Sequence, residues 1–87
     1  MNTRKYYLIP NDGHKSFYGK AVVEENENGS KTLFSYNVKI MTILDNGNVI
    51  KHWNGYTATT QRHIRAFSGL GKKSFGLLPV NVETSIQ

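Results

Sequence analysis

The chain has 87 residues, of which 38% are hydrophobic and 20% charged, so it can form one small folded domain (residues 1–87) and has no room for a second. It contains no cysteine, which excludes disulfides, thiolate zinc sites and cysteine nucleophiles. The net charge is +5, and residues 50–87 carry five basic side chains against one acidic side chain. This uneven charge favours an anionic partner, although a small net charge can also serve solubility alone.

No window approaches the ~18 apolar residues of a transmembrane helix. The N-terminal apolar run at residues 6–9 is too short for the core of a signal peptide. We therefore expect a cytoplasmic protein, acting in a host cell if it is of foreign origin. A chain of this length buries roughly 20 side chains, so a homodimer or a partner-supported fold is compatible with its size.

Four Asn-Gly or Asp-Gly pairs divide the first two thirds of the chain, at residues 12–13, 28–29, 46–47 and 54–55. Such pairs adopt positive φ at low cost and are typical of hairpin turns. The segments between them predict antiparallel strands, at residues 15–25, 32–44 and 48–53. Residues 4–9 predict a further edge strand that ends at Pro10.

The clearest alternation of apolar and polar residues lies at positions 32–44. It predicts one strand with a wet face of Ser35, Asn37 and Lys39. The other face is predicted to be buried, and it contains Phe34, Tyr36, Val38, Ile40 and Leu44.

Residues 57–68 have helical spacing, with Thr57 or Thr59 as the cap and Gly69 or Gly71 as the stop. Ile64, Phe67 and Leu70 follow one side of this helix. The remaining residues, 75–86, are apolar but are interrupted by Pro79, which suggests an edge strand or an extended tail. The predicted fold is therefore α+β, with an antiparallel meander sheet of three to five strands packed by one helix in the C-terminal half.

Two short motifs resemble known sites without matching them. Residues 69–74 (GLGKKS) share glycines and a lysine with a phosphate-binding loop, but Ala66 replaces the first glycine and Lys73 the required hydroxyl residue. Residues 73–78 share only one aromatic with an RNA-binding strand. The favoured interpretation of the first motif is a glycine helix stop, with Lys72 and Lys73 complementing the negative end of the helix dipole.

Candidate catalytic and metal-binding groups are sparse. Asp12, His14 and Ser16 are close in sequence but lie in a glycine turn, where neighbouring side chains diverge. A metal site formed by His14, His52 and His63 has no zinc-type spacing. His63 lies on the apolar side of the predicted helix and is interpreted as a core-edge residue with one bonded ring nitrogen. We therefore predict a protein that is not an enzyme and has no metal and no cofactor.

Three segments resemble a family of small proteins from phages, plasmids and integrative elements of Gram-positive bacteria. They are SFYGKA at residues 16–21, TLFSY at 32–36 and YTATTQRHIRAF at 56–67. The resemblance covers roughly residues 16–70, and in this chain Gly69 and Gly71 end the helix earlier than is usual in that family. The family has no known activity, so the resemblance implies a mobile-element setting only.

Together these observations predict a non-enzymatic binding protein that docks on a host protein or a protein–nucleic-acid complex, as anti-CRISPR and other counter-defence proteins do. The expected contact residues are basic: Arg62, Arg65, Lys72, Lys73 and Lys51. The alternative is direct DNA or RNA binding, in which the same basic side is joined by exposed aromatics that stack on bases. The candidate stacking residues are Trp53, Tyr18 and Tyr56.

Overall fold

The computed structural model describes residues 3–8, 20–55 and 57–85, and within these ranges the chain forms one six-stranded antiparallel sheet and two helices. Neighbouring strands in the sheet are also neighbours along the chain. The strands are β1 (Arg4–Tyr7), β2 (Ala21–Glu25), β3 (Lys31–Ser35), β4 (Val38–Ile43), β5 (Val49–Lys51) and β6 (Glu83–Thr84), and the helices are α1 (Ala58–Ser68) and α2 (Lys72–Gly76).

The α+β class and the antiparallel meander are confirmed, but the predicted count of three to five strands and one helix is too low. The sixth strand arises because the single strand predicted at residues 32–44 is two strands, β3 and β4. The additional helix is α2, which at five residues is too short for a period of 3.6 to be recognised in the sequence. Neither helix of the described ranges, at 11 and five residues, is long and apolar enough to cross a membrane.

The turns at Gly29 and Gly47 lie where the Asn-Gly pairs predicted them, and both glycines have φ of 90°. In each turn the preceding asparagine side chain accepts a backbone N–H two residues later, at 3.0 Å from Ser30 to Asn28 and 2.9 Å from Asn48 to Asn46. This hydrogen bond between the asparagine side chain and the backbone is the reason that asparagine is favoured in turns. The Asp12-Gly13 pair lies outside the described residues.

The predicted single strand at residues 32–44 is wrong, because a two-residue turn divides it into β3 and β4. Tyr36 and Asn37 form this turn with φ of 52° and 66°, and positive φ at both central residues is the geometry of a tight hairpin. Tyr36 and Val38 are therefore exposed, whereas the polar Ser35 is buried. The prediction therefore fails at these three residues, whereas Asn37 and Lys39 are exposed as predicted.

A bulge in the β3–β4 pairing also changes which residues are buried. Leu33 pairs with Met41 and Phe34 with Lys39, so Ile40 is an extra residue on β4. Consequently Ile40 and Met41, although consecutive, are both buried in the core. A simple alternation along β4 does not predict this pair.

Both helices pack against one face of the sheet. In the described residues, eight buried hydrophobic side chains form the core. Partly buried side chains, including Trp53 and Phe67, extend it. The eight come from four strands and both helices: Ala21, Val23, Leu33, Ile40, Met41, Val49, Ile64 and Phe75.

The predicted helix is confirmed as α1, and its ends are fixed by the residues expected to cap it. The Thr57 hydroxyl accepts the Thr60 N–H at 3.0 Å. At the other end, Gly69 has φ of 80° and donates its N–H to the Arg65 carbonyl at 2.8 Å. A left-handed glycine at this position ends the helix and satisfies a terminal carbonyl.

We expect Gly69→Ala to lower the free energy of unfolding by about 1 kcal/mol, because alanine disfavours positive φ. A Cβ at this position would meet nothing within 4 Å, so the expected cost is purely conformational. Gly71→Ala is the matched control, because Gly71 has an ordinary φ of −82° and equally open surroundings. Urea denaturation measures both variants, and equal stabilities would contradict the role assigned to Gly69.

Candidate functional site

Four basic side chains on the two helices form the main candidate contact surface. Arg65, Lys72 and Lys73 are exposed, and Arg62 is half-buried. The α1–α2 connection is held against α1 because the Gln61 side-chain amide donates to the Leu70 carbonyl at 3.0 Å. We term this set the basic helical surface: Arg62, Arg65, Lys72 and Lys73.

The charges on the sheet are arranged differently from those on the helices. Carboxylates of β2 form ion pairs with neighbouring strands: Glu25 with Arg4 at 3.5 Å and with Lys31 at 3.7 Å, and Glu24 with Lys5 at 3.8 Å. By contrast, residues 57–82, which include both helices, contain no aspartate or glutamate. Positive charge is therefore concentrated on the helical side of the molecule.

Lys51 does not belong to this surface, and its predicted place there is wrong. The side chain is only 3% exposed, and its ammonium donates to the carbonyls of Phe75 at 3.1 Å and Leu78 at 3.3 Å. It also lies 4.8 Å from the centre of the Phe75 ring, which is within the range of a cation–π contact. Lys51 therefore attaches the end of α2 to β5 from inside the protein.

Of the three aromatics predicted to stack on bases, only Trp53 lies in the described residues. Trp53 is half-buried and packs against the hydrophobic core, so it is not an open stacking surface. Its ring also lies against Gly55, where a Cβ would come within 2.8 Å of the indole. Tyr18 and Tyr56 lie outside the described residues.

A buried cluster of three polar side chains joins β3 to α1. The Ser35 hydroxyl lies 2.8 Å from His63 Nδ1 and 3.1 Å from the Thr60 hydroxyl, and all three residues are less than 6% exposed. Mutual hydrogen bonds satisfy groups that would otherwise be costly to bury. The structural interpretation of His63 is thus confirmed, and the cluster fixes the rotation of α1 on the sheet.

Burial lowers the pKa of His63, and the nearby positive charge of Arg62 lowers it further. Both effects disfavour the imidazolium form. His63 is therefore neutral at physiological pH and contributes no charge to the basic helical surface. Its buried and uncharged state suits a structural residue.

The hairpin tip at Tyr36 was missed as a candidate site, because the sequence placed this side chain in the core. Its ring is half exposed, and its centre lies 5.9 Å from the centre of the His63 ring. The Lys20 ammonium lies 5.9 Å from the Tyr36 ring centre. An exposed aromatic ring is thus placed between a lysine and the buried polar cluster of α1.

The sheet face opposite the helices carries a second exposed aromatic. Tyr7, Val22, Phe34 and Lys39 are successive partners across β1 to β4. They face away from the helices, because the adjacent residues Val23 and Leu33 face the core. Tyr7 is 70% exposed, and a shallow groove of about 650 Å³ lies along this row. Tyr7 and the basic helical surface therefore lie on different sides of the molecule.

His52 and His63 lie on opposite faces of the sheet, so they cannot share a metal ion. The His52 Nε2 atom is 2.8 Å from the hydroxyl of Thr42, which faces away from the helices, whereas His63 is bound to Ser35 on the helical face. Within the part of the chain that the structure describes, no three histidine, cysteine or acidic side chains form a group suited to a metal. His14, with Asp12 and Ser16, lies outside that part.

Comparison with curated proteins and with solved structures gave no match. One protein-family model does match, over residues 6–76, and this range extends from β1 to the end of α2. The match includes the basic helical surface, the Tyr36 hairpin and the buried polar cluster. It is wider than the residues 16–70 that carried the resemblance noted in the sequence. The chain belongs to a family of unknown function, DUF8033.

Proposed function

We propose that this chain is a non-enzymatic binding protein of a phage or other mobile element. It docks through its basic helical surface on a host protein or a protein–nucleic-acid complex. Anti-CRISPR and other counter-defence proteins act in this manner. The observation that carries the proposal is the separation of charge. Residues 57–82 carry four cations, of which three are exposed and Arg62 is half-buried, and no carboxylate, so their net charge is +4. On the sheet, the basic residues of β1 and β3 are instead balanced by glutamates on β2.

The shape of this surface supports the same conclusion. A cationic patch raises the association rate with an anionic partner and restricts the orientations in which it binds. Here the patch is rigidly held, because α1 is capped at both ends and α2 is anchored through Lys51. A rigid surface loses less conformational freedom on binding than a flexible tail of the same charge.

In a pull-down from a bacterial host lysate, we expect the double variant Arg65→Glu/Lys73→Glu to capture at least tenfold less of the host partner than wild type does. The matched control is Arg4→Glu/Lys39→Glu, which changes the net charge equally but on the sheet, where both side chains are exposed. Nuclease treatment of the lysate distinguishes a protein partner from one held through nucleic acid. Equal capture by the two double variants would contradict the proposal.

A second candidate function is direct binding of DNA or RNA, and the exposed Tyr36 ring beside Lys20 and α1 favours it. Tyr36 joins Tyr18 and Tyr56 as a candidate stacking residue, whereas Trp53 packs against the core. Aromatic side chains next to cations are the usual means of holding bases and phosphates together.

For this second candidate we expect the affinity for an oligonucleotide to fall steeply with salt. Each phosphate contact contributes a slope of about −0.7 to −0.9 in a plot of log K against log salt, so four contacts give about −3. Arg65→Glu/Lys73→Glu should reduce the magnitude of that slope by about 2. Mobility-shift titrations at two salt concentrations measure it. The absence of a shift with any DNA or RNA at low salt would eliminate direct binding.

A further inference from the structure

Tyr36 has a backbone conformation that its side chain disfavours. Its φ of 52° lies in the left-handed region, which glycine and asparagine occupy readily and aromatic residues rarely. The next residue, Asn37, with φ of 66°, is of the type expected in such a turn. Half of the Tyr36 side chain is exposed, so burial does not explain why a tyrosine occupies this strained position.

The Tyr36 ring is nevertheless supported in one orientation. It packs beside the His63 ring at an interplanar angle of 34°, and His63 is itself fixed by its hydrogen bond to Ser35, the residue before Tyr36. The half-exposed ring is thus held at the tip of a hairpin whose base is locked to α1. Strain of this kind is typical of residues whose orientation serves a function.

One cation lies beside this ring, and a second lies close to its neighbour. The Lys20 ammonium is 5.9 Å from the Tyr36 ring centre. Burial lowers the pKa of His63, whose ring packs beside Tyr36, and the positive charge of Arg62 acts on His63 and lowers its pKa further. An aromatic ring with cations close to it matches the base and the phosphates of an unpaired nucleotide.

We propose that Tyr36 is a stacking anchor for an unpaired base of single-stranded nucleic acid, with Lys20 and Arg62 directed to the flanking phosphates. This inference rests on the second candidate function and adds to it the class of nucleic acid and the residue that holds the base. A duplex keeps its bases stacked on one another, so it cannot use an aromatic anchor without being opened.

The test uses fluorescein-labelled 20-residue oligo(dT) and oligo(U), with a 20-base-pair duplex for comparison, in fluorescence anisotropy at low salt. Wild type should bind at least one single strand more tightly than the duplex. Tyr36→Asn should weaken that binding about five- to 150-fold, which is the range for loss of one stacked base. Tyr36→Phe should bind as wild type does, because it retains the ring.

Asn37→Gly is the matched control, since it changes the same turn to a residue that accepts positive φ and leaves Tyr36 in place. It should bind single strands as wild type does. Tyr36→Asn should be at least as resistant to urea as Tyr36→Phe, because asparagine tolerates the left-handed conformation. A loss of binding in Tyr36→Asn then cannot be attributed to unfolding.

Different results overturn different parts of this argument. If Tyr36→Asn binds single strands as wild type does while Arg65→Glu/Lys73→Glu does not, direct binding stands and the anchor is refuted. Tighter binding to the duplex than to both single strands also refutes the anchor. If no oligonucleotide binds but the pull-down still depends on Arg65 and Lys73, the partner is a protein and the inference fails with the second candidate.

Discussion

Replacing Lys51 with glutamate is expected to cost at least about 3–5 kcal/mol, which is the typical loss when a buried charge is left without its partner. The side chain is 3% exposed and donates to two carbonyls at the end of α2, where a carboxylate would face two acceptors instead. Globular proteins of ordinary stability have about 5–15 kcal/mol in total, so this single substitution removes much of it. Urea denaturation followed by circular dichroism measures the effect.

Two further variants separate the loss of the Lys51 hydrogen bonds from the effect of reversing a charge on the sheet. Lys51→Met retains the packing of the aliphatic stem but removes the donor, and we expect a smaller loss of about 1–3 kcal/mol. Lys39→Glu reverses a charge at an exposed position of the neighbouring strand and should change stability by less than about 0.5 kcal/mol. A Lys51→Met protein as stable as the wild type would show that the two hydrogen bonds contribute nothing to stability.

Acidification from pH 7 to pH 5 is expected to destabilise the protein through its histidines. Burial is the main cause that lowers the pKa of both His63 and His52 in the folded state, with Arg62 adding to the effect at His63 and Lys39 at His52. A hydrogen bond to Asn81 opposes the change at His52. Because the unfolded chain takes up protons at about pH 6.5 and the folded chain at lower pH, stability is lost as the pH falls below about 6.5.

The size of this loss has an upper limit of about 1.4 kcal/mol per pH unit for each histidine. His63→Asn should be less stable than wild type at pH 7, since it disturbs the bond to Ser35, but its stability should vary less between pH 7 and pH 5. Adding His52→Gln should flatten the profile further. Urea midpoints at half-unit pH steps measure this, and an unchanged slope in the double variant would show that neither histidine carries the effect.

Helix α1 could be predicted from the sequence because several local preferences agree. Thr57 supplies a cap, Gly69 supplies a stop, and Ile64 falls on the side that packs against the sheet. The two Asn-Gly turns were equally clear, since asparagine and glycine perform the same local function in most proteins. These features depend on residues close together in the chain.

The Tyr36 turn could not be predicted, because Asn37 is its only residue typical of such a turn and no glycine accompanies it. A tyrosine rarely adopts positive φ, and the alternation of apolar residues continues across the turn without a break. Only the three-dimensional contacts of Ser35 with α1 explain why the chain reverses here. The strongest candidate contact residue therefore lay where the sequence indicated the core.

The burial of Lys51 had a visible cause in the sequence that charge reasoning overlooked. Val49 and Lys51 are two residues apart in a strand, so they share a face, and Val49 is fully buried. A lysine on a buried face is rare unless it finds acceptors, and those acceptors belong to α2, an element too short to be recognised. The burial of Lys51 and the presence of α2 were therefore both missed, because the buried lysine depends on the acceptors that this helix supplies.

The pairing of β6 has a consequence for how the molecule opens. Strands β1 to β5 each pair with the strand next to them in the chain, but β6 returns to β5 only after 31 intervening residues that include both helices, and it does so over two residue pairs. Closing the longer segment costs more chain entropy than closing a hairpin, and two pairs provide little to offset it. The C-terminal strand should therefore detach before the rest of the sheet, and amide protons there should exchange with solvent fastest, releasing one end of the helical layer while the hairpins remain intact.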